Sequence, residues 1–276
     1  PAGRGLHPRL PPRPGAGPAR QPGPLPRPLR GGAVAAREHD TAAAPFGVYI
    51  HVPFCAARCD YCAFATWTDR HHLQGSYLDA CLTDVERSVA AGLPAATSIF
   101  VGGGTPSLVA PERLMEVVAA VPRAPGCEVT VECNPDTVTQ VLAATYAAAG
   151  VNRISLGVQS MVDHVLVALG RTHDPANVRR AVEWVREAGM PTLNLDLIYG
   201  AAGETLDDWH RTLDDALALD PPLVSAYALT VEAGTPLADD PTRHPDDDDQ
   251  AEKYLAAAAA LEAAGLAWYE ISNWAL

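Results

Sequence analysis

From Phe46 onward, short apolar runs of strand length alternate with stretches whose apolar residues recur at helical spacing. That is the pattern of successive βα units around a parallel sheet. Phe46 to Val52 predicts a first strand and Leu73 to Ala91 its helix, with Leu78, Leu82, Val85 and Val89 on one face. Ser98 to Val101 predicts a second strand ending at Gly102, followed by a helix over Pro111 to Val121. A third strand, Glu128 to Glu132, precedes a helix from Val138 to Ala149. Asn152 to Val158 comes next, with helical segments at Val162 to Leu169 and Ala176 to Ala188. The fifth unit pairs Thr192 to Ile198 with Leu206 to Leu219, where Thr205 and Asp208 have the spacing of a capping box. Leu223 to Leu229 opens the sixth, whose helix from Gln250 to Ala264 is stopped by Gly265. The expected fold is therefore α/β, a partial (β/α)6 barrel of TIM-like type.

Residues 1–44 do not share this pattern. They hold seven arginines against two acids, Glu38 and Asp40, in a background of Pro, Gly and Ala. Such a segment buries too little apolar surface to offset its ordering entropy, so a disordered extension is expected over 1–44 and one core domain over 45–276. The whole chain carries a formal charge of −13, and the body alone is more acidic still. An acidic surface disfavours phosphate backbones, which argues against nucleic acid as a partner. The run Asp246 to Asp249 reads as a solvated helix start. No apolar run of about eighteen residues occurs, so a soluble, cytoplasmic protein is expected.

Chemistry concentrates after the first strand, where Cys55, Cys59 and Cys62 are spaced C-x-x-x-C-x-x-C with Tyr61 before the third. Six cysteines in 276 residues are too sparse for a disulfide framework. A zinc site would want a fourth ligand; His71 or His72 offers one, but no second C-x-x-C follows. Closely spaced thiolates also hold iron-sulfur clusters, and three of them leave one iron of a four-iron cluster open. In a βα barrel the functional groups gather where the strands end. Those ends carry Gly102 to Pro106, Glu132 and Asn134, Gln159, Asp196 and Tyr199, and Thr230 with Glu232. Cys81, Cys127 and Cys133 are expected to pack rather than ligate, and Asp196 could be a core acid paired with Arg171. His51 is expected to be a hydrogen-bonding imidazole, and His173 to stand at the rim.

Tyr-x-His-x-Pro-Phe-Cys followed by x-x-x-Cys-x-Tyr-Cys, at residues 49–62, resembles the cluster loop of the radical S-adenosylmethionine (SAM) superfamily. More narrowly it resembles the branch of the oxygen-independent coproporphyrinogen III dehydrogenases and the HemW-type heme chaperones. Arg-x-Ser-x-Gly-x-Gln at 153–159 and Leu-Gly-Arg-x-His at 169–173 continue the likeness, which runs from 46 to 275. The resemblance implies a 4Fe-4S cluster on Cys55, Cys59 and Cys62, with S-adenosylmethionine chelating the fourth iron. It implies cofactor contacts at Tyr49, Tyr61, Gly103, Gly104, Thr105, Glu132, Gln159, Arg171 and Asp196. The shared chemistry is reductive cleavage of the cofactor to methionine and a 5′-deoxyadenosyl radical.

Dehydrogenases of the branch carry a fourth cysteine where this chain has Phe64, which favours the chaperone-like relatives. Heme as cargo, an electron donor and a heme-acceptor protein are then the expected partners, with any membrane association arising through the acceptor. Relatives continue past Asn273-Trp274-Ala275 into a His-Asn-x-x-Tyr-Trp segment, so the chain is expected to be truncated. Decarboxylation of coproporphyrinogen III, or a metal-stapled barrel with no catalytic role, are the alternative readings.

Overall fold

Parallel pairing of consecutive strands organises the chain. In the computed structural model, which describes residues 44–276, six strands lie side by side in sequence order, each parallel to the next. They are β1 (Gly47–Val52), β2 (Ala96–Gly103), β3 (Arg123–Cys133), β4 (Arg153–Gln159), β5 (Thr192–Tyr199) and β6 (Leu223–Ala228). A parallel neighbour cannot be reached by a tight turn, so each connection crosses over through helix. The crossovers are α1 (Gln74–Ala90), α2 (Pro111–Ala120), α3 (Gln140–Ala148), α4 (Asp163–Ala168) with α5 (Pro175–Glu187), and α6 (Leu206–Leu217). After β6 comes α7 (Asp247–Ala263). All six expected units are present, and β3 begins earlier than Glu128 because the chain is already extended from Arg123. The expected disordered segment lies outside the described residues, Ala44 excepted.

One element has no counterpart in the sequence expectation. After Gly265, β7 (Ala267–Glu270) and β8 (Asn273–Ala275) form an antiparallel hairpin, and β8 pairs with β6. The sheet order is β1-β2-β3-β4-β5-β6-β8-β7, so β1 and β7 are its two edges and the barrel is open. Strands of four and three residues are too short to carry a readable period.

Helix boundaries follow local capping chemistry. Thr205 and Asp208 form the expected capping box at α6, and Asp246 accepts from the Asp248 and Asp249 N–H groups at the start of α7. Gly265 follows α7 with φ +89°, a left-handed stop that a side chain would strain.

The sheet has two unlike faces. Val129 and Val131, Ile154 and Leu156, and Leu193 and Leu195 are buried against the helices, with Leu114, Leu142, Val182 and Leu213 in the same core. The intervening residues face the barrel interior and are polar. Asn194 donates to Ser155 Oγ and to Ser225 Oγ, each at 3.0 Å, and Ser225 donates to Asn273 Oδ1 at 2.6 Å. Satisfied in this way, an interior of amides and hydroxyls costs little to bury.

A buried cation fastens α7 to the barrel mouth. Lys253 is fully buried; its Nζ donates to Asp249 Oδ2 at 2.7 Å and Glu204 O at 2.8 Å, and stands 3.2 Å from Glu204 Oε2. Glu204 Oε2 also accepts the Gly200 N–H at 2.6 Å, in the turn after β5. Burial pushes the Glu204 carboxyl up, and Lys253 counteracts that shift. Replacing Lys253 by Ala leaves a buried carboxylate without its cation, so urea unfolding is expected to show a loss of ~3–5 kcal/mol. The loss should be larger at alkaline pH, where Glu204 must ionise; a variant as stable as the parent would contradict this.

Candidate functional site

The chain leaves the sheet after Val52 and is pinched back at Trp67. Trp67 N–H donates to Pro53 O at 2.8 Å and Cys55 N–H to Trp67 O at 3.1 Å, so residues 55–66 form a loop with a closed neck. The turn after β2 is sewn to the same neck: Gly104 N–H donates to Val52 O and Thr105 N–H to Phe54 O, both at 2.8 Å. A Cβ at Gly104 would lie 2.7 Å from Phe54 O and 3.0 Å from Cys55 Sγ, so only glycine allows this approach. His51 Nε2 is 2.9 Å from Ala65 O, which makes Nε2 the protonated nitrogen and leaves Nδ1 to accept the Tyr49 hydroxyl at 3.1 Å. Within the loop, Cys62 N–H donates to Cys59 O, and the Arg58 guanidinium donates twice to Cys62 O. All three cysteines are free thiols.

Eleven of the twelve residues expected from the sequence line one cavity of about 420 Å3. They come from the cysteine loop, the turn after β2, the ends of β3, β4 and β5, and Arg171 beyond α4. Tyr49 is the twelfth and stands outside it, more than half exposed, its ring 6.1 Å from that of Phe100. Thr230 and Glu232 are exposed and do not reach the rim; Tyr227 supplies the side chain from β6. Tyr199 turns instead into the core, 5.3 Å from Trp209.

Two carboxyls face the cavity in different settings. Glu132 Oε2 accepts the Gly103 N–H at 3.1 Å, and burial raises its pKa to about 7. Asp196 accepts from Ser155 Oγ and Asn194 Nδ2, each at 2.8 Å, and burial raises it to about 6 despite those bonds. Asp196 therefore has no ion pair with Arg171, contrary to the core-pair expectation. Arg171 donates instead to Gly157 O at 2.8 Å, to His173 Nδ1 at 3.2 Å and to Cys59 Sγ at 3.5 Å. Burial and the adjacent guanidinium lower His173 to about 4, so a neutral imidazole orients Arg171. Gln159 adopts φ +63° at an irregularity in the β4–β5 pairing, a local strain that sends its side chain into the cavity.

Among the described residues, no three His, Cys, Asp or Glu side chains converge on a single-ion position. The three thiols instead stand around one cavity, as separate irons of one cluster require. The donor set thus suits a cluster better than one zinc ion, whose ligands sit at about 2.3 Å. Sequence reasoning missed Ser155 and Asn194, which hold Asp196, and Ser225 behind them; the signal for the first two was the polar–apolar alternation of RISLGVQ and NLDLIYG.

A family model for the radical SAM superfamily matches residues 49–216. The heme chaperone HemW of Mycobacterium tuberculosis is 45% identical over 243 residues, covering 83% of this chain and 62% of the relative. HemW of Escherichia coli is 38% identical over 84% of this chain and 63% of the relative. The mouse mitochondrial radical S-adenosyl methionine domain-containing protein 1 is 33% identical over 86% and 55%. The chain thus spans less than two thirds of the length of these curated relatives. Among solved structures, coproporphyrinogen III oxidase (HemN) of Escherichia coli superposes with a TM-score of 0.74 at 23% identity, over 84% of this chain and 55% of that one. That likeness shows the barrel fold.

Both cavity carboxyls bind protons more tightly folded than unfolded, so their contribution to stability is complete below about pH 4 and is lost as the pH rises through 6 and 7. Glu132→Gln removes one of these groups. Its metal-free form should lose less melting temperature than the parent between pH 5 and 8; an equal loss would contradict the raised carboxyl.

Proposed function

The chain belongs to the radical SAM superfamily, and from that premise we propose that it binds a 4Fe-4S cluster and S-adenosylmethionine and serves as a heme chaperone. The observation that carries the reading is one cavity shared by three thiols of a single loop and by polar groups from the strand ends beside it. Cys55, Cys59 and Cys62 would hold three irons as thiolates, and Arg171 Nη1 stands 3.5 Å from Cys59 Sγ, as a donor to that sulfur. The Gly103, Gly104 and Thr105 backbone offers close approach to the amino-acid part of the cofactor. Glu132 keeps one oxygen for the cavity and suits the amino group or ribose hydroxyls, as does Asp196 deeper in. Gln159 and Arg171 suit its carboxylate, and the half-buried Tyr61 offers a ring beside the adenine. When bound, cluster and cofactor supply one-electron cleavage of a sulfonium bond; the protein's part is position and exclusion of water. Six free cysteines suit a reducing compartment, and no helix of the described residues is long and apolar enough to cross a membrane; we place the protein in the cytoplasm.

The chaperone reading rests on the two HemW relatives and on Phe64, which lines the cavity where coproporphyrinogen dehydrogenases carry their fourth cysteine. Heme would be the cargo, with an electron donor and an acceptor protein as partners. Anaerobic reconstitution should give about four iron and four sulfide per chain. Replacing any one of Cys55, Cys59 and Cys62 by Ala should lower that content severalfold, and heme should then titrate to a saturable Soret band in the parent. Full iron in the alanine variants would overturn the ligand assignment. Release of carbon dioxide from coproporphyrinogen III without heme binding would replace the chaperone reading by the dehydrogenase one.

A further inference from the structure

From Cys55 to Cys62 every residue but one lines the cavity. The exception is Asp60, set between Cys59 and Tyr61 and held entirely by other parts of the fold. Its N–H donates to Leu169 O at 3.3 Å, just past α4, and its carbonyl accepts the Leu237 N–H at 3.0 Å. Its carboxylate accepts from Arg243 Nη2 at 2.7 Å, and the same nitrogen donates to Ala168 O at 2.6 Å. Gly170, with φ +68°, passes so close that a Cβ there would stand 2.7 Å from Asp60 Oδ1.

Leu237 and Arg243 belong to the long connection between β6 and α7, which is itself firmly placed. Leu237 is buried in a small apolar cluster with Val162, Val165, Leu169, Ile198 and Leu229, against which Tyr61 packs. Its carbonyl lies 3.1 Å from His244 Nε2. Asp240 caps the short turn Pro241–Arg243 that presents the guanidinium. The Asp60–Arg243 pair is roughly a quarter exposed, with each group also engaged elsewhere, unlike a solvated surface pair.

We propose that this connection is a strap that fixes the cysteine loop from behind, and that Asp60 and Arg243 are positioning residues for Cys59 and Cys62 before any metal arrives. The loop's neck fastens only Cys55 directly; the second and third thiols lie toward its far side, where backbone bonds to β1 and β2 do not reach. A preset loop avoids spending binding energy on ordering ligands, which slows ligand release. The consequence for the cluster rests on the function proposed above, whereas the strap itself is a property of the metal-free chain.

Hydrogen exchange of the metal-free protein tests it. Asp60→Asn and Arg243→Met should each speed exchange in the peptide 55–67 by about tenfold, as for loss of a charge-assisted hydrogen bond, with the global unfolding midpoint little changed. Gly170→Ala should do the same by displacing Asp60. The exchanged pair Asp60→Arg with Arg243→Asp should recover part of the protection. After reconstitution, the single variants should release iron to a chelator faster than the parent. Unchanged loop exchange in Asp60→Asn and Arg243→Met would overturn the strap. A parent that takes up no cluster would instead sink the cluster reading, and the exchange data would still decide the strap.

Discussion

Six parallel strands laid down in order have their carboxyl ends on one rim, and every other feature of the site depends on that constraint. Antiparallel pairing would scatter the same residues over two ends. Here the end of β1 delivers the thiols, the end of β2 a glycine turn, and β3 and β5 each a carboxyl, all to one cavity. The turn after β2 then bonds directly to the end of β1, so cysteine loop and glycine turn form one hydrogen-bonded unit.

Desolvation decides what else must be present. Asp196 is half-buried in the cavity wall, and such a carboxyl is retained only where donors face it. Ser155 and Asn194 are those donors, and Ser225 with Asn273 extends the chain to β8. The β7–β8 hairpin therefore does more than extend the sheet past β6, since its Asn273 completes the hydrogen bonding of the layer beneath the site. Burial raises Glu132 to about 7, opposed by its one backbone donor and reinforced by the neighbouring Asp196 carboxyl.

Much of this was legible in the chain itself. Strand and helix periods gave all six units, and the spacing of Cys55, Cys59 and Cys62 gave the loop. Resemblance supplied the twelve residues expected at cluster and cofactor, eleven of which line the cavity. What stayed hidden was long-range pairing. Nothing local ties Asp60 to Arg243, 183 residues away, or says that Arg171 turns to Cys59 and not to Asp196. Thr230 and Glu232 were misplaced because β6 ends at Ala228 and the chain turns out into the connection that crosses behind the cysteine loop. Tyr49, expected from the resemblance, sits exposed on the edge strand β1, outside the cavity lining.

The central claim is that the three thiols leave one iron open toward the carboxyl-lined cavity. Electron paramagnetic resonance of the reduced, reconstituted chain with and without S-adenosylmethionine tests it most directly. A cluster signal whose g-values move on adding the cofactor, and which move less in Glu132→Gln and Asp196→Asn, is the predicted result. A cluster signal indifferent to the cofactor would mean that no iron is open to it, and would contradict the account.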